Sequence, residues 1–245
     1  LDGVLERAFK TPRLLAVALT INSPGGAAAQ SALIHRRIRA LGQEAGVPVL
    51  AFGEDVVASG GYMLACAADE IYVDENSIVG SIGVISASFG FQDLIARIGV
   101  ERRIHKAGAH KDMLDPFRPE RPEDAARLEA LHQDIHAAFI ALVRERRGAR
   151  LHESDDIFSG AFWGGQQAVA RGLADGLGDL RSVLRDRFGP DIRFRLVEAH
   201  RPFWRRALPG VTAAVEPAGL AALGGLADAM IATVEERALW ARYGL

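Results

Sequence analysis

The sequence predicts an α/β domain built on a mostly parallel sheet with helices covering it. Three observations carry this reading. Residues 14–21 and 47–52 are nearly continuous apolar runs of strand length. Each is followed by a glycine-containing turn and then a helical stretch. Strand-like and helix-like segments then alternate along most of the chain, as consecutive β-α crossovers require.

The elements follow in order. The run at 14–21 ends in Asn22-Ser23-Pro24-Gly25-Gly26, a turn, and the next segment places Leu33, Ile34, Ile38 and Leu41 on one helical face. A second buried strand over 47–52 leads to Ala58-Ser59-Gly60-Gly61 and a small-residue apolar run to Ala68, read as a buried helix. Short strands are expected at 70–73, 82–86 and 101–106, with a helix over 89–98. A loop containing Gly and Pro spans 107–122. The segment 123–147 is then a long amphipathic helix, with Leu128, Leu131, Ile135, Phe139 and Leu142 at helical spacing. Shorter helices are expected at 164–172 and 179–188. From Arg201 the composition shifts to an Ala/Gly/Leu-rich tail, read as helical over 219–243 and as a possible oligomer contact. The division expected is a domain over 1–200 and a C-terminal helical extension over 201–245.

Composition narrows the function classes. At 245 residues, 49% hydrophobic and 24% charged, the chain is long enough for a sizeable core and unlike a disordered segment. A net charge of −2 gives no electrostatic case for a nucleic-acid partner. The single cysteine, Cys66, excludes an internal disulfide and a Cys-rich metal cage. The longest uncharged run, 76–92, is too polar to span a bilayer. The chain starts at Leu1, which suggests a processed or trimmed product whose compartment, membrane-associated or cytoplasmic, stays open. Of 29 basic residues only Lys10, Lys106 and Lys111 are lysines, so a lysine base has three candidates. Arginine holds its proton and cannot serve.

Two turns could carry chemistry. Gly25 and Gly26 follow a strand, where paired glycines either make a tight turn or aim backbone N–H groups at an anion. The pattern matches neither a phosphate loop nor a dinucleotide fingerprint. Ser59 stands at a strand-to-helix junction, where it reads either as a helix cap or as a nucleophile with the Gly60 N–H beside it. Val57 breaks the full Gly-x-Ser-x-Gly elbow. A nucleophilic serine needs a base. His132 and His136 lie four apart on the long helix and read as surface residues or as a metal pair, without the zinc-protease Glu. Lys111, in Lys106-Ala107-Gly108-Ala109-His110-Lys111-Asp112, is either solvated or a base. A free lysine has a pKa of about 10.4 and works near neutrality only when desolvated.

Taken together, Asn22–Gly26, Ser59-Gly60-Gly61-Tyr62, Gly80-Ser81-Ile82-Gly83-Val84-Ile85 and the Lys106–Asp112 segment closely resemble the signal peptide peptidase A family. These are serine proteases with a Ser/Lys dyad. The resemblance runs from about residue 14 to 180. It implies the Clp protease/crotonase fold, a superhelix of ββα units, and a ring-shaped homo-oligomer. It implies Ser59 as nucleophile, Lys111 as general base and Ser81 as the serine that orients the lysine. It further implies an oxyanion hole from the Gly60 and Gly25 N–H groups, with Gly26 the lesser candidate. No metal or other cofactor is implied, and the expected substrates are peptides such as remnant signal peptides. One copy of each motif fits the short form, in which serine and lysine come from neighbouring protomers. Three rival readings share parts of this pattern. A Clp-type Ser-His-Asp protease needs a histidine about 25 residues after the serine, where Val84 stands. A crotonase-type acyl-CoA enzyme would not need both Ser59 and Lys111. An inactive oligomeric scaffold would not need them either.

Overall fold

The computed structural model describes residues 1–152, 154, 156–198, 240, 241 and 243. The helix expected over 219–243 lies outside these residues but for 240, 241 and 243. The chain opens with a short helix, α1 (Asp2–Phe9), that the sequence reading does not anticipate; it buries only Leu5 and Phe9. Strand β1 (Val17–Ser23) is followed by α2 (Ala28–Ala45), which ends at Gly46 in the left-handed conformation, φ +64°. The 10-residue strand β2 (Val49–Ala58) leads through Ser59 into α3 (Gly60–Ala65). Then come β3 (Glu70–Val73), β4 (Ile78–Gly80) and α4 (Gln92–Arg97). The long helix α5 (Pro122–Arg147) has proline in its first turn, where the missing N–H costs nothing. The remaining elements are β5 (Phe162–Gly164), α6 (Gly165–Ala170), β6 (Gly176–Leu177) and α7 (Leu180–Phe188).

Among the described residues, six strands form one sheet in which β2 is central. Its first half pairs in parallel with β1 and β3, and its last three residues pair in parallel with β4. β6 extends the sheet beside β3, and β5 alone runs antiparallel, against β4. β2 can serve different neighbours along its length because it bulges. Ile21 pairs with Gly53, yet Ser23, two residues on, pairs with Val57. The Asn22 side chain fills the gap: its carbonyl oxygen accepts from the Val56 N–H at 3.1 Å and its amide donates to Asp55 at 2.9 Å. Asn22 thus shapes the path of β2 three residues before the candidate nucleophile.

Alternate residues of β2 face two cores, as a pleated strand demands. Val49, Ala51 and Val57 join the large cluster that also holds Tyr62, Ile71, Phe139 and Val143. Leu50 and Phe52 face the other way, toward Leu184 of α7. The mostly parallel α/β architecture expected from sequence is what forms.

Two expected strands do not form. Pairing stops at Gly80 rather than running over 82–86, because Gly80 and Ser81 have φ of +119° and +53° and Gly83 N–H turns back to the Ser81 carbonyl at 3.0 Å. Residues 101–106 carry no strand either. Their charged side chains are exposed, and among the described residues no neighbouring strand meets them.

Candidate active site

The site begins where β2 meets α3. Ser59 takes φ +51° and ψ −121°, a conformation that costs a non-glycine residue about 1–3 kcal/mol. Its N–H donates to the Gly80 carbonyl at 2.8 Å, and its carbonyl accepts from Met63 N–H at 3.0 Å. The hydroxyl makes no capping hydrogen bond to α3, so the helix-cap reading of Ser59 does not describe this structure. The side chain is held half-buried at the C-terminal end of the central strand, ahead of the first turn of α3.

Glycine is required on three sides. A Cβ on Gly25, which has φ +130°, would lie 2.9 Å from Ser59 Cβ and 3.2 Å from Ser59 Oγ. A Cβ on Gly61 would meet the Ser23 carbonyl at 2.7 Å, so the end of β1 lies directly against α3. A Cβ on Gly60 would meet Ser31 Oγ at 2.5 Å and the Gly26 nitrogen at 3.2 Å. The two glycine turns singled out in the sequence therefore meet in space, backbone to backbone, around Ser59. Within the first, the Gly25 N–H already donates to Ser23 Oγ at 3.3 Å. The Gly26 N–H has no partner among the described residues.

Ser81 joins the same place through the main chain. It follows Gly80, whose carbonyl holds Ser59, and its own N–H donates to the Ala161 carbonyl at 2.7 Å. Behind α3, Tyr62 is fully buried and its hydroxyl donates to the Leu173 carbonyl at 2.8 Å. Burial pushes both the Tyr62 phenol and the neighbouring Cys66 thiol up, the latter to about 12, so Cys66 is an inert core residue.

Lys111 is not brought to Ser59 by a hydrogen bond. It lies exposed in a turn, and its ammonium has no hydrogen bond or ion pair among the described residues. The turn itself is anchored through the next residue. The Asp112 carboxylate is buried and pairs with Lys106, with Arg118 at 2.5 Å and with Arg121 at 3.5 Å. The Lys106 hydrogen bond, ahead of the surrounding guanidinium charges, holds the Asp112 carboxyl below the usual carboxylate range. Lys106 is thereby engaged in structure, and also donates to the Ala109 carbonyl at 2.8 Å.

His132 and His136, expected on a helix surface or as a metal pair, do something else. Both face the segment after Ser81: His136 Nε2 lies 3.0 Å from the Ile82 carbonyl, and His132 Nε2 lies 2.7 Å from Ser86 Oγ. The sequence signal was present. The two histidines extend the stripe of Phe139, Val143 and Arg147 that α5 buries. Among the described residues no group of three or more metal-ligating side chains comes together.

Comparison with known proteins gives the family of the chain. The chain is 53% identical, over 99% of its length, to a Brucella abortus protein named Na(+)/H(+) antiporter NhaA, of which the shared stretch is only 33%. The transport name belongs to that longer protein, and no described helix here is long and apolar enough to cross a membrane. The chloroplastic serine protease SPPA of Arabidopsis thaliana is 34% identical over 69% of this chain and 25% of its own length. This chain thus spans a quarter to a third of those two relatives. A solved complex of a 1510-N membrane-bound stomatin-specific protease mutant with a substrate peptide overlays with a TM-score of 0.47 and 15% identity, covering 75% of this chain and 72% of that one. Residues 42–187 match peptidase family S49. With that match over more than half its length, the chain belongs to peptidase family S49, the family of the signal peptide peptidase A proteases.

Proposed function

We propose that this protein is a serine endopeptidase with a Ser59/Lys111 dyad, acting on peptides such as remnant signal peptides. The observation that carries the proposal is the strained, uncapped Ser59 with the Gly25–Gly26 backbone in contact with it. In the reaction, the neutral Lys111 amine takes the Ser59 Oγ proton as Oγ bonds to the scissile carbonyl carbon. The negative carbonyl oxygen is held by the Gly60 N–H and one N–H of the Gly25–Gly26 turn, worth about 3–4 kcal/mol for such a donor. Gly26 is favoured for that second donor, since the Gly25 N–H is engaged with Ser23. Collapse expels the amine, which takes the proton back from Lys111, and water then releases the acyl group from Ser59. Ser81 orients the lysine.

The dyad is completed between protomers of a ring-shaped homo-oligomer. Two features support this. Lys111 is exposed and unpaired among the described residues, on a turn that buried Asp112 holds rigidly. Among the described residues the segment between Ser81 and the Lys111 turn also displays exposed apolar side chains: Phe89 is 79% exposed, Ile85 68% and Ile98 64%, and α4 buries no residue. A neighbouring protomer on this face would desolvate the lysine, which a lysine base requires. The region over residues 1–200 forms the peptidase unit, and 201–245 is an extension to it.

The test is subunit mixing. Ser59→Ala and Lys111→Ala proteins are each inactive on a fluorogenic peptide, and a mixture refolded together regains activity if each site takes one residue from each of two chains. No recovery would place both residues of a site in one chain. Activity flat from about pH 5 to 9 would remove lysine as the base.

A further inference from the structure

We infer that His136, assisted by His132 one helical turn away, is a positioning residue for the peptidase site, acting through the Ser81–Gly83 turn. This rests on the reading above that Ser81 orients the lysine.

The turn is tight and strained. Ser81 has φ +53°, and Gly83 N–H closes back on the Ser81 carbonyl at 3.0 Å, enclosing Ile82 in a three-residue turn. Ser81 is tethered on one side only by its N–H to the Ala161 carbonyl. On the other side the strand ladder has ended, so the central carbonyl of the turn, that of fully buried Ile82, has no sheet partner. His136 fills that role from α5, with Nε2 at 3.0 Å. A carbonyl can only accept, so the proton sits on Nε2, and the contact selects that tautomer. Four residues back, His132 meets Ser86 Oγ at 2.7 Å, fixing the outgoing chain at a second point. Below the histidines the same stripe of α5 is anchored by fully buried Val143 and by Arg147. The helix therefore transmits the position of the core to the residue next to Ser81. Removing the imidazole leaves a buried carbonyl without a donor, and the turn relieves this by moving. Displacements of about 1 Å at a reacting group cost up to roughly 100-fold in rate.

The experiment measures kcat and KM on a fluorogenic peptide for wild type, His136→Ala, His136→Gln, Ser81→Ala and the Ser81→Ala/His136→Ala double variant, with the rate of fluorophosphonate labelling alongside. The expected result is a kcat loss of tens of fold in His136→Ala with KM within about twofold. His136→Gln, whose amide can donate from the Nε2 position, recovers most of it. The double variant is no slower than Ser81→Ala alone, because His136 acts through Ser81. Losses that multiply in the double variant, an unchanged kcat in His136→Ala, or a Gln variant no better than Ala would each overturn the inference. Should His136→Ala fail to fold, His136→Asn, too short to reach Ile82, takes its place in the cycle. Wild type that neither labels nor cleaves would overturn the Ser59 reading itself, and this inference with it.

Discussion

Gly25→Ala tests whether the backbone contact around Ser59 is functional. A methyl at position 25 would start 2.9 Å from Ser59 Cβ, where ordinary contacts begin near 3.4 Å, so one group must give by about half an ångström. The φ of +130° adds a conformational cost of about 1–3 kcal/mol for alanine. The serine cannot withdraw easily, since its N–H is tied to Gly80 and its carbonyl to α3. Movement therefore falls on Oγ and on the glycine turn, the two parties to the proposed attack. The expected loss is about 100-fold in kcat and in labelling rate. Gly46→Ala is the control: it also needs a positive φ, +64°, but a Cβ there meets nothing within 4 Å. It should cost about 1–2 kcal/mol of stability and leave kcat untouched. Both proteins are compared by thermal melting and by peptide hydrolysis. Gly25→Ala retaining activity within threefold of wild type would refute the argument that this turn borders the reacting atoms.

Arg147 is 2% exposed, pairs with both oxygens of Asp175 at 2.8 and 3.0 Å and donates to the Gly172 carbonyl at 2.7 Å; Arg147→Ala should cost about 3 kcal/mol in urea unfolding, the low end for breaking a buried pair, because Asp175 keeps Arg150 at 3.1 Å and the Ile71 N–H at 2.7 Å. His35 is buried with neither ring nitrogen in a well-formed hydrogen bond. Burial, outweighing the nearby Cys66 backbone and reinforced by Arg146 and Arg39 against Glu145, lowers its pKa below the usual value of 6.5. The unfolded chain then takes up the proton first. The resulting stability is present above about pH 6.5 and lost as pH falls through the folded-state value. A His35→Leu variant should show a flatter decline of melting temperature between about pH 7 and 5, and an unchanged slope would count against the assignment.

Much of this was legible in the sequence because the informative residues are close together and of restricted type. The long apolar runs became β1 and β2, and the stripe of Phe139 and its neighbours became α5. The two glycine turns, separated by more than 30 residues, could be linked to one site only by the resemblance of four motifs, and they do meet in the structure. What escaped has physical reasons. β5 and β6 have three and two residues, too few for any periodicity to register. The end of β4 is set by the positive φ of Gly80 and Ser81, which apolar pattern does not report. Residues 101–106 lack the apolar face that a strand would bury, which the alternation of segments along the sequence does not report. The histidines of α5 read from sequence as surface residues or a metal pair, because polar residues on a stripe look like its border, whereas here they satisfy the chain beside Ser81.

The central claim is an activated Ser59. Its most direct measurement is labelling by a fluorophosphonate at about pH 8, with the modified peptide located by mass spectrometry in wild type, Ser59→Ala and Lys111→Ala. Label is expected on Ser59 in wild type and on neither variant. An assembled, folded wild type that takes no label, or takes it at another residue, would contradict it.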